Sequence, residues 1–405
     1  MRSVVTAGTL GLLLAGAAGA DGTALTQAIE AGEAGLGLRY RFEHVDQEGY
    51  AADARASTLR LRLGYETGSW RRWKAMAELD YVGEIYFDEF DSGGGTSPGR
   101  ARYPLVADPT GADLNQLYAE RVPAPGWRWR FGRQRILLDD QRFVGGVGWR
   151  QNEQTYDAVS VAGTVLDRIE LFYGFVANAN RIFGDRVPAG DHRMATHLVN
   201  ARIAIGQTLT LTPYLYRIDN DDDPAASTST AGLRVAGSHA FGAQALEWIA
   251  DVARQGDAGN APVDFEAEYF RLDVRWRFPG GLDLGAGLES LGGRHGRPGG
   301  AFRTPLATLH AFQGWADQFT VTPDAGVRDV FAKAWYARGP WRLEAAWHDF
   351  SAESGGQGYG KELDLAAGRE LGDRYAVLLK AAFFDASGGA FRDTDKLWLM
   401  LTAAW

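Results

Sequence analysis

The chain has 405 residues, no cysteine, 52 glycines, 12% aromatic residues and a formal net charge of -9. Without cysteine there is no disulfide framework, thiolate metal site or cysteine nucleophile, and so many aromatic and branched residues exclude a disordered chain. The acidic balance speaks against nucleic acid as a partner, because such binders need a basic face to replace phosphate counterions.

Residues 1–20 read as a signal peptide. Arg2 supplies the positive head, Val4 to Ala17 the apolar stretch, and Ala18, Gly19 and Ala20 a small-residue cleavage site before Asp21. Beyond it no apolar run is long enough for a membrane-crossing helix. The exported chain is then periplasmic, secreted or built into an outer membrane as strands. Residues 21–33 form a short periplasmic segment with room for one helix, Ala24 to Glu33, and from 34 to 405 the dominant rhythm has a period of two.

In the first periodic stretch Leu36, Leu38, Tyr40 and Phe42 share one face, with Arg39, Arg41 and Glu43 on the other. Leu59, Leu61 and Leu63 alternate with Arg60 and Arg62, Trp127 and Trp129 with Arg128 and Arg130, and Phe270, Leu272 and Val274 with Arg271, Asp273 and Arg275. Arginine at every second position cannot line a dry core. One face must meet water and the other an apolar medium. Strands are expected at 34–46, 55–67, 71–85, 113–122, 127–134, 153–162, 168–179, 192–204 and 208–217. They continue at 228–238, 243–254, 263–277, 281–290, 327–337, 341–350, 361–369, 373–384 and 393–405. Their even number and length predict an all-β fold: a transmembrane antiparallel β-barrel of 18 strands occupying residues 34–405 of a Gram-negative outer membrane.

The connections alternate in length. Segments 47–54, 86–112, 135–152, 180–191, 218–227, 291–326 and 351–360 fall on one side, while the other has turns as brief as Arg338-Gly339-Pro340. Long extracellular loops opposite short periplasmic turns are expected of such barrels. Tyr65, Trp70, Trp127, Tyr375 and Trp405 lie near strand ends, where an interfacial girdle would sit. Leu397, Leu399, Leu401 and Ala403 alternate up to Trp405, a terminal strand of the kind that outer-membrane insertion machinery reads. Outer-membrane lipid and lipopolysaccharide complete the expected surroundings.

The alternation assigns Arg39, Arg41, Arg60, Arg62, Arg128, Arg130, Arg271, Arg275 and Arg342 to the lumen, with Lys74 beside them. Guanidinium forks suit carboxylate, sulfate or phosphate, so one reading is a ladder of weak anion sites. The other is that these arginines pair with lumenal acids and brace a wide barrel. Glu78, Asp80, Glu120, Asp273 and Glu344 share the inward faces, which leaves the bases in excess. The segment 135–152 mixes Ile136, Leu137, Leu138, Phe143 and Val144 with Asp139, Asp140, Arg142 and Arg150. Apolar residues gain little in an exposed loop, so this segment is expected to turn inward, Arg142 and Arg150 lining a constriction; a loop folded over its outer neighbours is the alternative. Asp219 and Asp221 to Asp223 suit either a solvated rim or calcium, without the order of an EF-hand. The histidines are dispersed, and no metal or cofactor is assigned. Ser69, Ser160 and Ser351 stand in no context that selects a nucleophile, so transport, rather than catalysis or adhesion, is the expected role.

The string from Gly132 to Asp157, GRQRILLDDQRFVGGVGWRQNEQTYD, resembles the alginate export family of outer-membrane barrels. LRYRFEHVDQEG from Leu38, LYAERV from Leu117 and FQGWADQF from Phe312 extend the likeness. The resemblance implies an eighteen-stranded monomeric barrel with an arginine-rich, constricted lumen through which an anionic polysaccharide leaves the cell. The lumenal acids keep open a more general porin for small polar solutes.

Overall fold

The structure is a computed structural model that describes residues 20–405. The signal segment, Ala20 apart, lies outside the described residues. A helix α1 (Ala20–Glu30) is followed by β1 (Glu33–Gln47), β2 (Ala54–Glu66), β3 (Trp73–Glu89), β4 (Gly111–Arg121), β5 (Trp127–Gln134), β6 (Thr155–Val165), β7 (Ile169–Asn180), β8 (Asp191–Ile205) and β9 (Leu209–Ile218). Then come β10 (Thr228–Phe241), β11 (Gln244–Asp257), β12 (Glu266–Arg277), β13 (Leu282–Leu291), β14 (Val327–Arg338), β15 (Trp341–Ser351), β16 (Gly358–Leu371), β17 (Tyr375–Ala386) and β18 (Thr394–Ala404). Every strand pairs antiparallel with its sequence neighbours, and β1 closes the cylinder against β18 from Gly37 opposite Ala404 to Gln47 opposite Thr394. The fold is an 18-stranded antiparallel barrel with no free edge.

Register follows from the period-two pattern. Arg39, Arg41 and Glu43 are buried inside, while Leu38, opposite Leu61, and Leu36, opposite Leu63, face out. Slipping β1 by one residue would turn two arginines into lipid, at about 2–4 kcal/mol each near the bilayer midplane. Leu79, Leu215, Leu233, Leu272, Leu363 and Leu379 continue the exposed apolar belt around the wall. Trp127, Trp276, Trp341 and Tyr375 stand near the short-turn ends of their strands, where Tyr375 meets Trp405 edge to face.

The odd-to-even connections all emerge at one rim, and three of them are long: 90–110, 135–154 and 292–326. At the other rim the turns are as short as 242–243 and 339–340. Helix α1 begins four residues before the sequence pattern suggests and packs at this short-turn rim, where Gly68 N donates to Ala28 O at 2.8 Å and the Tyr65 hydroxyl reaches Ile29 O. Register breaks in β3 at Glu78/Leu79 and in β6 at Asp157/Ala158 lie beside the 135–154 segment. Such bulges re-aim side chains next to functional regions.

Candidate functional site

The segment 135–154 enters the barrel and crosses it. On the wall of β10 to β13, Arg142 donates to Glu289 at 2.6 Å, and it also donates to Thr304 Oγ1 of the 292–326 connection at 3.0 Å. Asp140 there accepts from Arg271 at 2.7 Å and pairs with Arg234 at 2.8 Å. Phe143 fills the space between, 5.2 Å from the rings of both Tyr214 and Tyr269 and 6.0 Å from Phe302.

The far end of the same segment is held by β1 to β3. Arg39 donates to Gln151 and to Gly148 O, both at 2.9 Å, and to the Arg150 carbonyl. Arg41 donates to the Trp149 carbonyl, pairs with Glu43 at 2.7 Å and lies over the Trp149 ring at 4.3 Å. Arg150 joins Glu43 at 3.0 Å to Asp317 at 3.1 Å. Arg60 donates to Gln151 O at 3.2 Å, and Arg62 grips Asp80 with both arms and reaches Glu153 at 2.7 Å. Arg135 bridges Glu153 to Glu78. Burial alone would raise the Glu153 carboxyl, but Arg62 and Arg135 outweigh it and bring it down to about 2.

A second long connection, 292–326, also folds inward and meets the first. Gly145 N donates to Leu306 O at 2.8 Å and Thr308 N to Gln141 O at 3.0 Å. No side chain fits at Gly145, where a Cβ would stand 2.3 Å from Thr308 Oγ1. The outer side of this second segment is tied to β16 to β18. Trp315 N and Ala316 N donate to Glu362, and Lys396 pairs with Asp317 at 2.9 Å. Lys380 donates to His310 Nε2 at 2.6 Å, so His310 presents its Nδ1 proton to Asp317 at 2.7 Å and stacks on Trp149 at 4.6 Å. Burial lowers the imidazole to about 3 despite Asp317, with the Lys380 ammonium adding to the shift. It is therefore neutral at ordinary pH. At Gly314, with φ +80°, a Cβ would stand 2.3 Å from the Glu362 carboxylate.

The sequence-assigned bases thus separate into three sets. Arg39, Arg41, Arg60, Arg62 and Arg150 converge on one end of the first infolded segment, and Arg142 and Arg271 on its other end. Lys74, Arg128, Arg130, Arg275 and Arg342 remain toward the short-turn mouth. There Lys74 pairs with Glu66, Arg130 with Glu120 at 2.6 Å and Arg275 with Asp283 at 2.5 Å. Arg128 and Arg342 are looser, 3.8 Å from Glu120 and 3.5 Å from Glu370, with more than half of each side chain exposed. Two cavities open on this side. One of about 840 Å³ lies between Leu137, Arg128, Arg202 and Thr212, and one of about 750 Å³ beside Arg275, Trp335 and Arg342.

The inward faces also carry carboxylates beyond the five that the alternation first suggests, among them Glu43, Asp251, Asp283, Glu289, Asp329, Glu362 and Asp364. Arg234, Lys380 and Lys396 join the bases in turn, so the interior is mixed in charge rather than dominated by arginine. Sequence reasoning also missed the 292–326 segment as a lumenal element. The signal was the same as for 135–152: Phe302, Leu306, Phe312, Trp315 and Phe319 are too apolar for a loop in water. In the acidic run at the rim, Asp222 forks Arg193 at 2.7 Å and Asn220 accepts from Asp222 N and Asp223 N. No group of three or more metal-ligating side chains forms among the described residues. Ser97, within Gly95 to Gly99, donates to Asp91 at 2.8 Å in a rim turn between β3 and β4, not at the strand-to-helix turn of a nucleophile elbow.

A closed, edge-free barrel with an apolar outer belt and a charged, loop-crossed interior is an outer-membrane channel of the porin class. The chain belongs to the alginate export family, whose model matches residues 32–280. It is a transport protein and not an enzyme. Among solved structures it is similar to OpdO of Pseudomonas aeruginosa, with 13% identity, a TM-score of 0.72, and 94% of this chain and 99% of that one covered. OccAB2 of Acinetobacter baumannii matches at 12% identity and TM-score 0.72, covering 94% and 99%. OpdK of Pseudomonas aeruginosa, solved with vanillate, matches at 13% identity and TM-score 0.69, covering 93% and 99%. A comparison with curated proteins found no match.

Proposed function

We propose that the protein is a channel for small polar solutes without strong anion selectivity, narrowed by the two infolded segments. The observation that carries this reading is the set of ion pairs that ties the infolded segments to the walls, Arg142 to Glu289 and Asp140 to Arg271 on one side, Arg150 to Glu43 and Asp317 to Lys396 on the other. A lumen crossed by two joined segments suits small solutes better than a polymer strand. Guanidinium groups already satisfied by carboxylates exert little net field on a passing ion. Export of an acidic polysaccharide such as alginate would require both segments to leave their places. Single-channel recording in planar bilayers tests the reading: ohmic current with a modest reversal potential across a salt gradient supports it, whereas a strongly anion-selective current would overturn it.

The exposure of Arg128 and Arg342 favours a second, narrower reading, in which anions are weakly preferred at the short-turn mouth. Arg39, Arg41, Arg60, Arg62, Arg142, Arg150 and Arg271 then hold the constriction. In the same proposal the short turns face the periplasm, residues 1–20 direct export, and the strand ending at Trp405 engages the insertion machinery.

A further inference from the structure

The outer wall carries its own charge pattern near the long-loop rim. Over β9 to β14, outward Arg217, Arg254 and Arg328 and the loop residue Arg294 are exposed. Arg254 is 78% exposed and only loosely paired, 3.5 Å from Glu268. Over β17, β18 and β1 the same height carries Asp385, Asp395 and Asp46, the last two directly opposite each other, while Lys361 of β16 stands opposite Asp385. Beside Arg254 two adjoining cavities of about 540 and 720 Å³ share Ala231, Arg254, Glu268, Gly292 and Glu353. The upper one reaches Arg294, and the lower one runs down to Leu233, Val252 and Phe270, part of the exposed apolar belt. Ser290, directly opposite Arg328, helps to floor it.

From this we propose that the outer wall over β10 to β13 is a binding site for a phosphorylated glycolipid of the lipid A type. A polar slot edged by Arg254 and Arg294 and continuous with an apolar one, whose floor has Arg328 across from Ser290, matches a ligand with phosphates at its head and acyl chains below. Arginine forks phosphate oxygens bidentately, and Leu233, Val252 and Phe270 meet the chains. Glu266, Glu268 and Glu353, which line the upper slot with Arg254 and Arg294, do not oppose this. Divalent cations that accompany such a head group take oxygen ligands, so they join its phosphates to these carboxylates. The long-loop rim is the outward one in barrels of this kind, which selects the outer-leaflet lipid over a phospholipid.

The test is native mass spectrometry of the full barrel in detergent, titrated with diphosphorylated lipid A, its dephosphorylated form and phosphatidylglycerol. Retention of lipid A should fall about tenfold in the R254Q/R328Q variant and remain unchanged in D46N/D395N. The dephosphorylated form and phosphatidylglycerol should bind weakly to all three proteins. A second variant, S290W, fills the slot below the arginines and should weaken lipid A binding with the charges intact. Folding of each variant is checked by the heat-dependent gel mobility of a closed barrel. Equal lipid A retention in folded R254Q/R328Q, binding indifferent to phosphate, or phosphatidylglycerol binding as well as lipid A would each overturn the proposal. Bilayer conductance should be the same in these variants, so failure here is separable from failure of the channel reading.

Discussion

Arg142 illustrates what a single lumenal side chain does. It is buried, and its partner Glu289 also accepts from Tyr269 at 2.7 Å. Substitution R142Q should leave Glu289 uncompensated and cost about 3–5 kcal/mol of local stability, whereas R142M/E289L should cost much less, because an apolar pair of similar size removes both charges together. Protease nicking within 136–148 of the folded barrel would rank the two variants; equal susceptibility would refute the argument. Glu153 predicts a pH response. Its carboxyl is held at about 2, below its ordinary 4.5. A depressed acid contributes stability that is complete above the ordinary value and lost as pH falls through the bound value. Conductance should therefore become noisier and larger between about pH 4.5 and pH 2, and E153Q should show the noisier, larger conductance already at neutral pH and lose this part of the pH response.

The infolded segments carry the next prediction. Replacing 136–148 by a short flexible linker should raise single-channel conductance with the strands intact, since this segment lies between β5 and β6 and takes no part in the strand ladders. G145V should do so partially, because its side chain would meet Thr308 and Gln141 and part the two segments. Unchanged conductance in both variants would place the narrowing elsewhere. The strands were legible in the sequence because lipid on one side and water on the other force the alternation of Leu61 with Arg60 and Arg62. The segment 135–152 was legible from its misplaced apolar residues. Its partners were not: the union of Arg150 with Asp317, or of His310 with Lys380, depends on chain far away in sequence, and no local period encodes such distances. Nor could alternation alone separate a tightly paired arginine from a loosely paired one, since Arg62 and Arg128 both fall on the inward phase of their strands.

For the molecule as a whole, balance of charge is the governing quantity. A tenfold potassium chloride gradient should give only a small reversal potential in the native channel. Replacing Arg128 and Arg130 with glutamine should shift it toward cations, most clearly at low ionic strength, where screening is weakest. Loss of no anion permeability would mean that Glu120 already neutralises both.

The pairing of β1 with β18 also fixes an order of assembly. The first and last strands of the chain are neighbours, so the wall cannot close until the whole sequence is present, and contacts this distant in sequence form slowly. Asp317 sits between Lys396 on the last strand and Arg150, which in turn reaches Glu43 on the first. These bonds need both ends of the chain in place. The interior barrier should therefore be the last part to mature, and a chain arrested before β18 would be a leaky sheet rather than a narrow pore.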